Sequence, residues 1–566
     1  MRAHHLHLLA GRLPPAIALI LLVGSTLIGL VFLLATGFGF LPALGGHALS
    51  LEPFRILLAD ARLVSSCLVT VLAGTLGTLA AVAMAFALAV AVCPEGTAPA
   101  GWSQRLALGV LGVPHVAIAV GLVFVVAPSG WLMRALQTMI GAWPLPPDWQ
   151  FLSSESGLTL ALALFLKETP FLFFAMLTGL RQLRPERQIL VARALGYDDT
   201  MAWVKLILPQ LYPLVRFPIL AVLAYSLSVV DMSLILGPTT PATLPVLILT
   251  WANDPDLNQR FVAAAAGLVQ LALVIGAVLA WCLGERVVAL GLRPWLSAGD
   301  RRLSSPWVLL GRWLRNLAAG LGVTLVVLAI GGLMLWSLAH DWRYPALLPP
   351  SLDLGAWRRG LGVLYVPLLD SLGLALSTTF LAIVLAVACL QHERLLRLDI
   401  VRSAERWLFL PLLVPEICFL FGLQVLLLLA GFNGTWLAVL WMHVLFVFPY
   451  VFLTLKEPWR AFDRRYETVG LALGRCGWSV FWRIKLPMLR GAISWACAIG
   501  GTVSLSLYLP TLQGGEGRIA TLATEAVAQS AGGDRRVMAV FGLVQTLTAG
   551  LFFAIASVSA RGRRWR

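Results

Sequence analysis

The sequence predicts an all-α integral membrane protein of about twelve transmembrane helices, built as two six-helix repeats of the same topology. Three observations predict it. Of the 566 residues, 59% are hydrophobic and only 12% are charged, about half the charged share of a soluble domain. The apolar residues gather in runs long enough to cross roughly 30 Å of hydrocarbon. One polar island, Leu190–Pro209, returns in variant form at Thr468–Pro487.

Taken in order, the first apolar run is Pro14–Phe38. It is too long for a signal-peptide core and lacks a clear cleavage site, so a retained helix is expected. Further runs follow at 63–92, 105–127, 157–180, 213–236 and 261–284. The segment 131–142 is too short and mixed to span, and is assigned to the outer surface. A polar stretch, Gly284–Arg315, with Pro294, Gly299 and Arg301-Arg302, reads as the connection between halves. Six more runs lie at 316–339, 367–390, 405–430, 434–456, 490–511 and 537–560. The expected division is therefore residues 1–284, a linker at 285–315, and residues 316–566.

Twelve crossings put both termini on one side. With the termini cytoplasmic, the inner segments carry about 31 of the 42 Lys and Arg residues and the outer loops about 10, as the positive-inside rule requires. The net charge of +15 is thus explained by topology and by anionic lipid, including the tail ARGRRWR, and nucleic-acid binding is not expected.

The two islands share a spacing: a Gly, nine residues, a bulky aliphatic, one residue, then Leu-Pro. Gly196 pairs with Gly474, Trp203 with Phe481, Leu206 with Ile484, and Leu208-Pro209 with Leu486-Pro487, each at an offset of 278. Gly bends the chain cheaply. Asp198 and Asp199 suit a helix start. Trp203, Leu206 and Ile207 then share a helical face, and Pro209 is expected to end the short helix. Each island reads as a short amphipathic helix at the inner membrane face, with one aromatic knob (Trp203, Phe481) projecting from it.

The repeat extends beyond the islands. Ser226 and Ser228 match Ser504 and Ser506, and Thr243-Leu244 match Thr521-Leu522, at 278. Upstream, Pro114 and Gly121 match Pro415 and Gly422 at 301. Both halves start inside, which makes the duplication parallel.

Chemistry-bearing residues are few. The four lysines, Lys167, Lys205, Lys456 and Lys485, follow Leu, Val, Leu and Ile, so none is the Lys of a GxxxxGK[ST] loop. Any ATP is expected to be hydrolysed by a partner. The seven cysteines have no CxxC spacing, and His4, His5 and His7 read as a flexible tail, so no metal site is expected. Lys167 and Glu168 lie within the fourth run, where charge is costly and functional by default. They read as an internal ion pair or hydrogen-bonded gate element, as a substrate contact, or as the mark of a helix boundary lying elsewhere. Asp231, with Ser226, Ser228, Ser504 and Ser506, reads as a polar lining for a cationic or polar solute. For the serines, close packing and bonding to their own helix is the ordinary alternative.

The Gly-to-Leu-Pro spacing resembles the cytoplasmic EAA loop of binding-protein-dependent ABC importer permeases, although Glu-Ala-Ala is replaced by Leu190-Val191-Ala192 and Thr468-Val469-Gly470. The chain as a whole is similar to the fused, double-length permeases of this family, such as those serving ferric iron or thiamine. The stretch from Ser226 through Gly237-Pro238 to Leu244-Pro245 is similar to the YnjC type. The resemblance implies a type I importer permease fold in a bacterial inner membrane, and a pathway between the halves. It implies coupling loops at the two islands that dock on an ABC ATPase dimer holding ATP and Mg. It also implies a periplasmic solute-binding protein, and no cofactor or enzyme activity in this chain. The rival class is an ion-driven secondary transporter using Lys167, Glu168 and Asp231 as a relay. Uptake abolished by an uncoupler yet indifferent to ATP depletion separates the two.

Overall fold

The computed structural model describes residues 14–93, 113–141, 143–147, 155–301, 305–396, 405, 407–532 and 534–561. His4, His5, His7, Arg302, the start of the 105–127 run and most of the basic tail lie outside them. The described chain is almost wholly helical, as the apolar runs require: with no water to bond the backbone, a spanning segment satisfies its own N–H and C=O groups by coiling. Ten helices among the described residues are long and apolar enough to cross a membrane. Gly477–Met488 and Arg490–Ser506, bent by 70°, add an eleventh if taken as one span, and Glu416–Leu429 is a shorter apolar helix.

The spanning and supporting helices are, in order, α1 (Pro14–Gly37), α2 (Glu52–Ala59), α3 (Arg62–Val92), α4 (His115–Val126), α5 (Trp131–Ile140), α6 (Leu158–Leu183), α7 (Pro185–Ala194) and α8 (Asp199–Ala202). They continue with α9 (Leu208–Ser228), α10 (Asp231–Leu236), α11 (Leu244–Ala252), α12 (Gln259–Ser297) and α13 (Ser305–Leu338). The later part holds α14 (Gly355–Leu396), α15 (Glu416–Leu429), α16 (Trp436–Arg460), α17 (Arg464–Ala472) and α18 (Gly477–Val480). It ends with α19 (Arg490–Ser506), α20 (Leu509–Gly515), α21 (Leu522–Gly532) and α22 (Arg535–Arg561). A two-residue antiparallel pair, Ala339–His340 with Ser351–Leu352, closes the turn after α13.

The chain forms two compact units that are discontinuous in sequence. One holds residues 37–357 and 533–540; the other holds residues 1–36, 358–532 and 541–566. The halves drawn at 284 and 315 therefore differ from the compact units. The first helix belongs to the unit of the second half, and α13 to the unit of the first. Glycine seams account for both memberships. A Cβ on Gly121 of α4 would stand 2.7 Å from the Ala329 carbonyl of α13, and one on Gly422 of α15 would collide with the Gly29 carbonyl of α1. Helices that meet backbone to backbone gain dispersion contacts that lipid tails do not supply.

Within the first unit, α3 packs on α6 through small residues. Ala73, Gly74, Gly77, Ala81 and Ala85 are buried, and a Cβ on Gly77 would lie 2.8 Å from Leu164.

Two sequence expectations are corrected. The polar connection is far shorter than 284–315, because α12 stays helical to Ser297 and α13 starts at Ser305. Gly284 and Gly291 are tolerated inside α12 at a modest cost in propensity. The runs at 213–236, 405–430 and 490–511 are not continuous helices. They break at Val229–Val230, Val414–Pro415 and Leu507–Tyr508.

Candidate functional site: two elbows and two helix breaks

Each polar island folds into the same succession of backbone. A helix (α7, α17) ends at a glycine with φ of +84° at Gly196 and +78° at Gly474. Left-handed backbone of this kind favours Gly because it has no Cβ. Next comes an extended capping residue: Asp198 with ψ 161° and Cys476 with ψ 155°. The Asp198 side chain accepts the Met201 N–H at 2.6 Å, the N-cap that the sequence suggests. A short helix (α8, α18) then runs into one π-turn, Trp203–Ile207 and Phe481–Lys485, and on into helices starting at Leu208 and Leu486.

Pro209 and Pro487 therefore do not end the short helices. They stand in the first turn of the following ones, where a missing N–H costs nothing.

The aromatic knob is a second correction. Trp203 is only 1% exposed. It packs with Ile207 among Phe86, Ala89, Leu180 and Ile189, and meets the Phe86 ring edge-on at 6.4 Å. Its indole anchors the elbow to α3 and α6 instead of projecting. The physical reason is that the apolar face of a short amphipathic helix turns to the nearest apolar surface, which is the bundle itself. Phe481 is half-buried against Trp459 at 6.2 Å and Trp478 at 6.3 Å. Leu206 and Ile484 are half-buried.

Exposed aliphatic side chains lie one element earlier, around the helix before each glycine, and the second elbow itself exposes Trp478 and Trp482. Val191 and Leu195 are 61% and 58% exposed, and their offset partners Val469 and Leu473 are 57% and 75% exposed. Spaced four apart, each pair forms a short aliphatic row on one helix face.

The elbows are bolted differently. Where the first has buried Ile207, the second has Lys485, itself 1% exposed. Its Nζ donates to Gln391 Oε1 at 2.6 Å, lies 3.2 Å from Glu467 Oε1, and sits 4.4 Å from the Trp459 ring centre. Nearby, Arg460 bonds Glu393 at 3.0 Å and Glu405 at 3.0 Å.

The following membrane helix leads in each unit to a break at matching positions. Val229 and Leu507 are extended (ψ 130° and 106°), and a new short helix starts at Asp231 and Leu509. The carbonyls freed there are satisfied at a distance: Gln270 Nε2 donates to Leu227 O and Gln545 Nε2 to Leu505 O, each at 2.8 Å. Thr70 Oγ1 accepts the Leu244 N–H and Ser371 Oγ the Leu522 N–H, again at 2.8 Å each. These are the same contacts in both units, made by residues of the same type or a close substitute.

Beside the break, the two units carry different side chains. In the first, α10 packs on α4 and α6, which brings Asp231 near Lys167 and Glu168. Lys167 Nζ donates to the Val113 carbonyl at the non-helical entry to α4. Glu168 Oε1 lies 3.7 Å from His115 Nε2, and the His115 ring lies 5.3 Å from that of Tyr225. Lys167 and Glu168 thus face different partners, as neighbours on a helix must. Asp231, the first residue of α10, accepts the Met232 N–H at 2.8 Å.

In the second unit, His443 bridges Ser504 Oγ and Thr511 Oγ1 at 2.9 Å each. Thr511 spends its own hydrogen on Leu507 O at 2.8 Å. It therefore accepts from His443 Nε2–H, which leaves Nδ1 to accept from Ser504. Ser228 and Ser506 bond to their own helices, at Ala224 O (2.8 Å) and Thr502 O (3.0 Å). Ser226 Oγ is buried with no hydrogen-bond partner among the described residues. Sequence reasoning passed over His115, His443, Gln270 and Gln545. For His115 a signal was present: it directly follows Pro114, one of the residues matched at 301.

No family model matches the chain. It is 30% identical over 520 residues to the inner membrane ABC transporter permease protein YnjC of Escherichia coli (strain K12), and the alignment covers 91% of each chain. With an all-helical membrane fold and near full-length likeness together, the chain belongs to the ABC transporter permeases of the inner membrane.

Proposed function

We propose that this chain is the complete transmembrane part of an ABC importer, with both coupling loops on one polypeptide and both termini cytoplasmic. As an ABC permease it works with an ATPase subunit, and no phosphate-binding loop occurs in its own sequence. ATP and Mg are held by that partner, taken here to be a dimer with one subunit on each elbow. A periplasmic binding protein delivers and selects the solute.

The observation that carries this reading is the pair of like elbows. Each presents an exposed aliphatic row, Val191 with Leu195 and Val469 with Leu473, just before a left-handed glycine. Paired apolar side chains exposed on a polar, basic segment mark a protein-binding surface. Behind each glycine, the π-turn leads to the membrane helix that ends at a break, continuously into α9 in the first elbow and through a 70° bend into α19 in the second. A push on an elbow is thus delivered to the break. ATP binding draws the elbows together and opens the pathway outward; hydrolysis resets it. In the first unit Lys167, Glu168, Asp231 and His115 are the charged or titratable groups beside that moving break, and we assign them to the solute pathway. In the second, His443 with Ser504 takes the corresponding place. Gly196, Leu206, Leu208 and Pro209, with Gly474, Ile484, Leu486 and Pro487, shape the elbows, and Trp203 and Phe481 anchor them.

The test is retention of a co-expressed ABC ATPase. Val191→Glu with Leu195→Glu, or Val469→Glu with Leu473→Glu, is expected to lose the ATPase while the permease still elutes as a folded species. Undiminished retention in both double variants refutes the docking assignment.

A further inference from the structure

The segment leaving α12 is more than a connection. Lys205, in the first π-turn, donates from Nζ to Ala298 O at 2.8 Å and to Asp300 O at 3.1 Å. The same ammonium sits 4.8 Å from the centre of the Trp295 ring. The Asp198 N–H, at the cap of α8, donates to Arg301 O at 3.0 Å. Arg301 also covers Gly196, its guanidinium 3.5 Å from where a Cβ would stand. The elbow's glycine, its cap and its π-turn are therefore all held by residues 295–301.

Nearer its middle, α12 is tied to the base of α9. Tyr212 donates to Glu285 Oε1 at 2.6 Å, Arg216 Nε pairs with Glu285 Oε2 at 2.8 Å, and Trp281 donates to Tyr212 Oη at 2.9 Å. The extension of α12 past Gly284 thus runs as a strut alongside α9 and ends by clasping the elbow.

We propose that Trp295–Arg301 is a positioning strap for the first elbow, with Lys205 as its main tie, so that the elbow and α12 move as one body. The strap gives the first elbow a second anchor, in addition to Trp203. The second elbow is held instead by Lys485 on Gln391, Glu467 and Trp459. The two arms are then mechanically unlike, and a displacement of the first reaches α12 as well as α9. The assignment of the elbow to coupling rests on the function proposed above; the strap itself does not.

Hydrogen exchange of the full chain in lipid nanodiscs, read by mass spectrometry, tests it without any partner. In Lys205→Met, residues 196–202 are expected to exchange at least about tenfold faster, from loss of charge-assisted bonds and the ring contact. Residues 474–480 stay at the wild-type rate. Trp295→Leu gives a smaller change of the same pattern, and Lys205→Arg, which keeps the charge and the donors, restores protection. Wild-type exchange in both Lys205→Met and Trp295→Leu, or an equal rise at both elbows, overturns the strap. Failure of the wild-type chain to retain a co-expressed ATPase counts against the coupling reading alone.

Discussion

Replacing Trp203 by Ala separates a buried anchor from a projecting knob. The indole is 1% exposed and sits among Phe86, Ile189, Ile207 and Leu180. A buried Trp hides roughly 150–250 Å². At about 25 cal/mol per Å² that gives about 4–6 kcal/mol, close to the 3–5 kcal/mol found for large aromatic-to-Ala changes in cores. Part of the contact is with membrane helices, where lipid replaces water as the competing surroundings, so about 3–5 kcal/mol is the expected loss. Phe481→Ala, at a half-buried site, is expected to lose less, about 1–2 kcal/mol. The assay is equilibrium unfolding in mixed micelles on titration with a denaturing detergent, followed by tryptophan fluorescence and repeated by circular dichroism. A Trp203→Ala protein with the wild-type midpoint, yet unable to hold the ATPase, refutes the anchor and restores the knob.

Two further outcomes follow from the geometry. At Gly474, φ is +78° and nothing lies within 4 Å of where a Cβ would stand, so Gly474→Val is expected to cost about 1–2 kcal/mol from backbone strain alone. Gly474→Asn costs visibly less, because Asn visits this region; equal losses for the two, measured by the same unfolding titration, contradict the strain account. Gln270→Leu and Gln545→Leu each leave a buried carbonyl at a helix break without its donor, at about 1–3 kcal/mol. Faster exchange confined to residues 227–233 in the first and 505–511 in the second is the expected signature, and unchanged exchange refutes it.

Much of the architecture was legible because hydropathy acts over long windows. The apolar runs appear mostly as helices, and the two islands turn alike because Gly196 and Gly474 supply a conformation other residues resist, whereas Pro209 starts the next helix instead of ending the short one. The break at Val229–Val230 was not legible. The sequence Ser226-Leu-Ser-Val-Val-Asp231 contains no Gly or Pro. Its Val pair merely tolerates extension, and the decisive partner, Gln270, is 43 residues away from the Leu227 carbonyl it satisfies. The burial of Trp203 is hidden for a related reason: helical spacing identifies an apolar face but not whether that face meets its own bundle or a partner.

The two breaks also bear on Lys167, Glu168 and Asp231. Both units break a membrane helix at the same place and satisfy the freed carbonyl with a glutamine. The second unit lines its break with His443, Ser504 and Thr511, using neutral hydrogen bonds that cost little to bury. The first unit places Lys167, Glu168 and Asp231 beside its break, all three buried, and a charge on any of them is far more expensive in a low-dielectric interior. Since the second unit forms the break without such charge, the break does not require it. Among the described residues such an ionisable cluster stands beside one of the two breaks, and its cost to stability supports its assignment to the solute pathway proposed above.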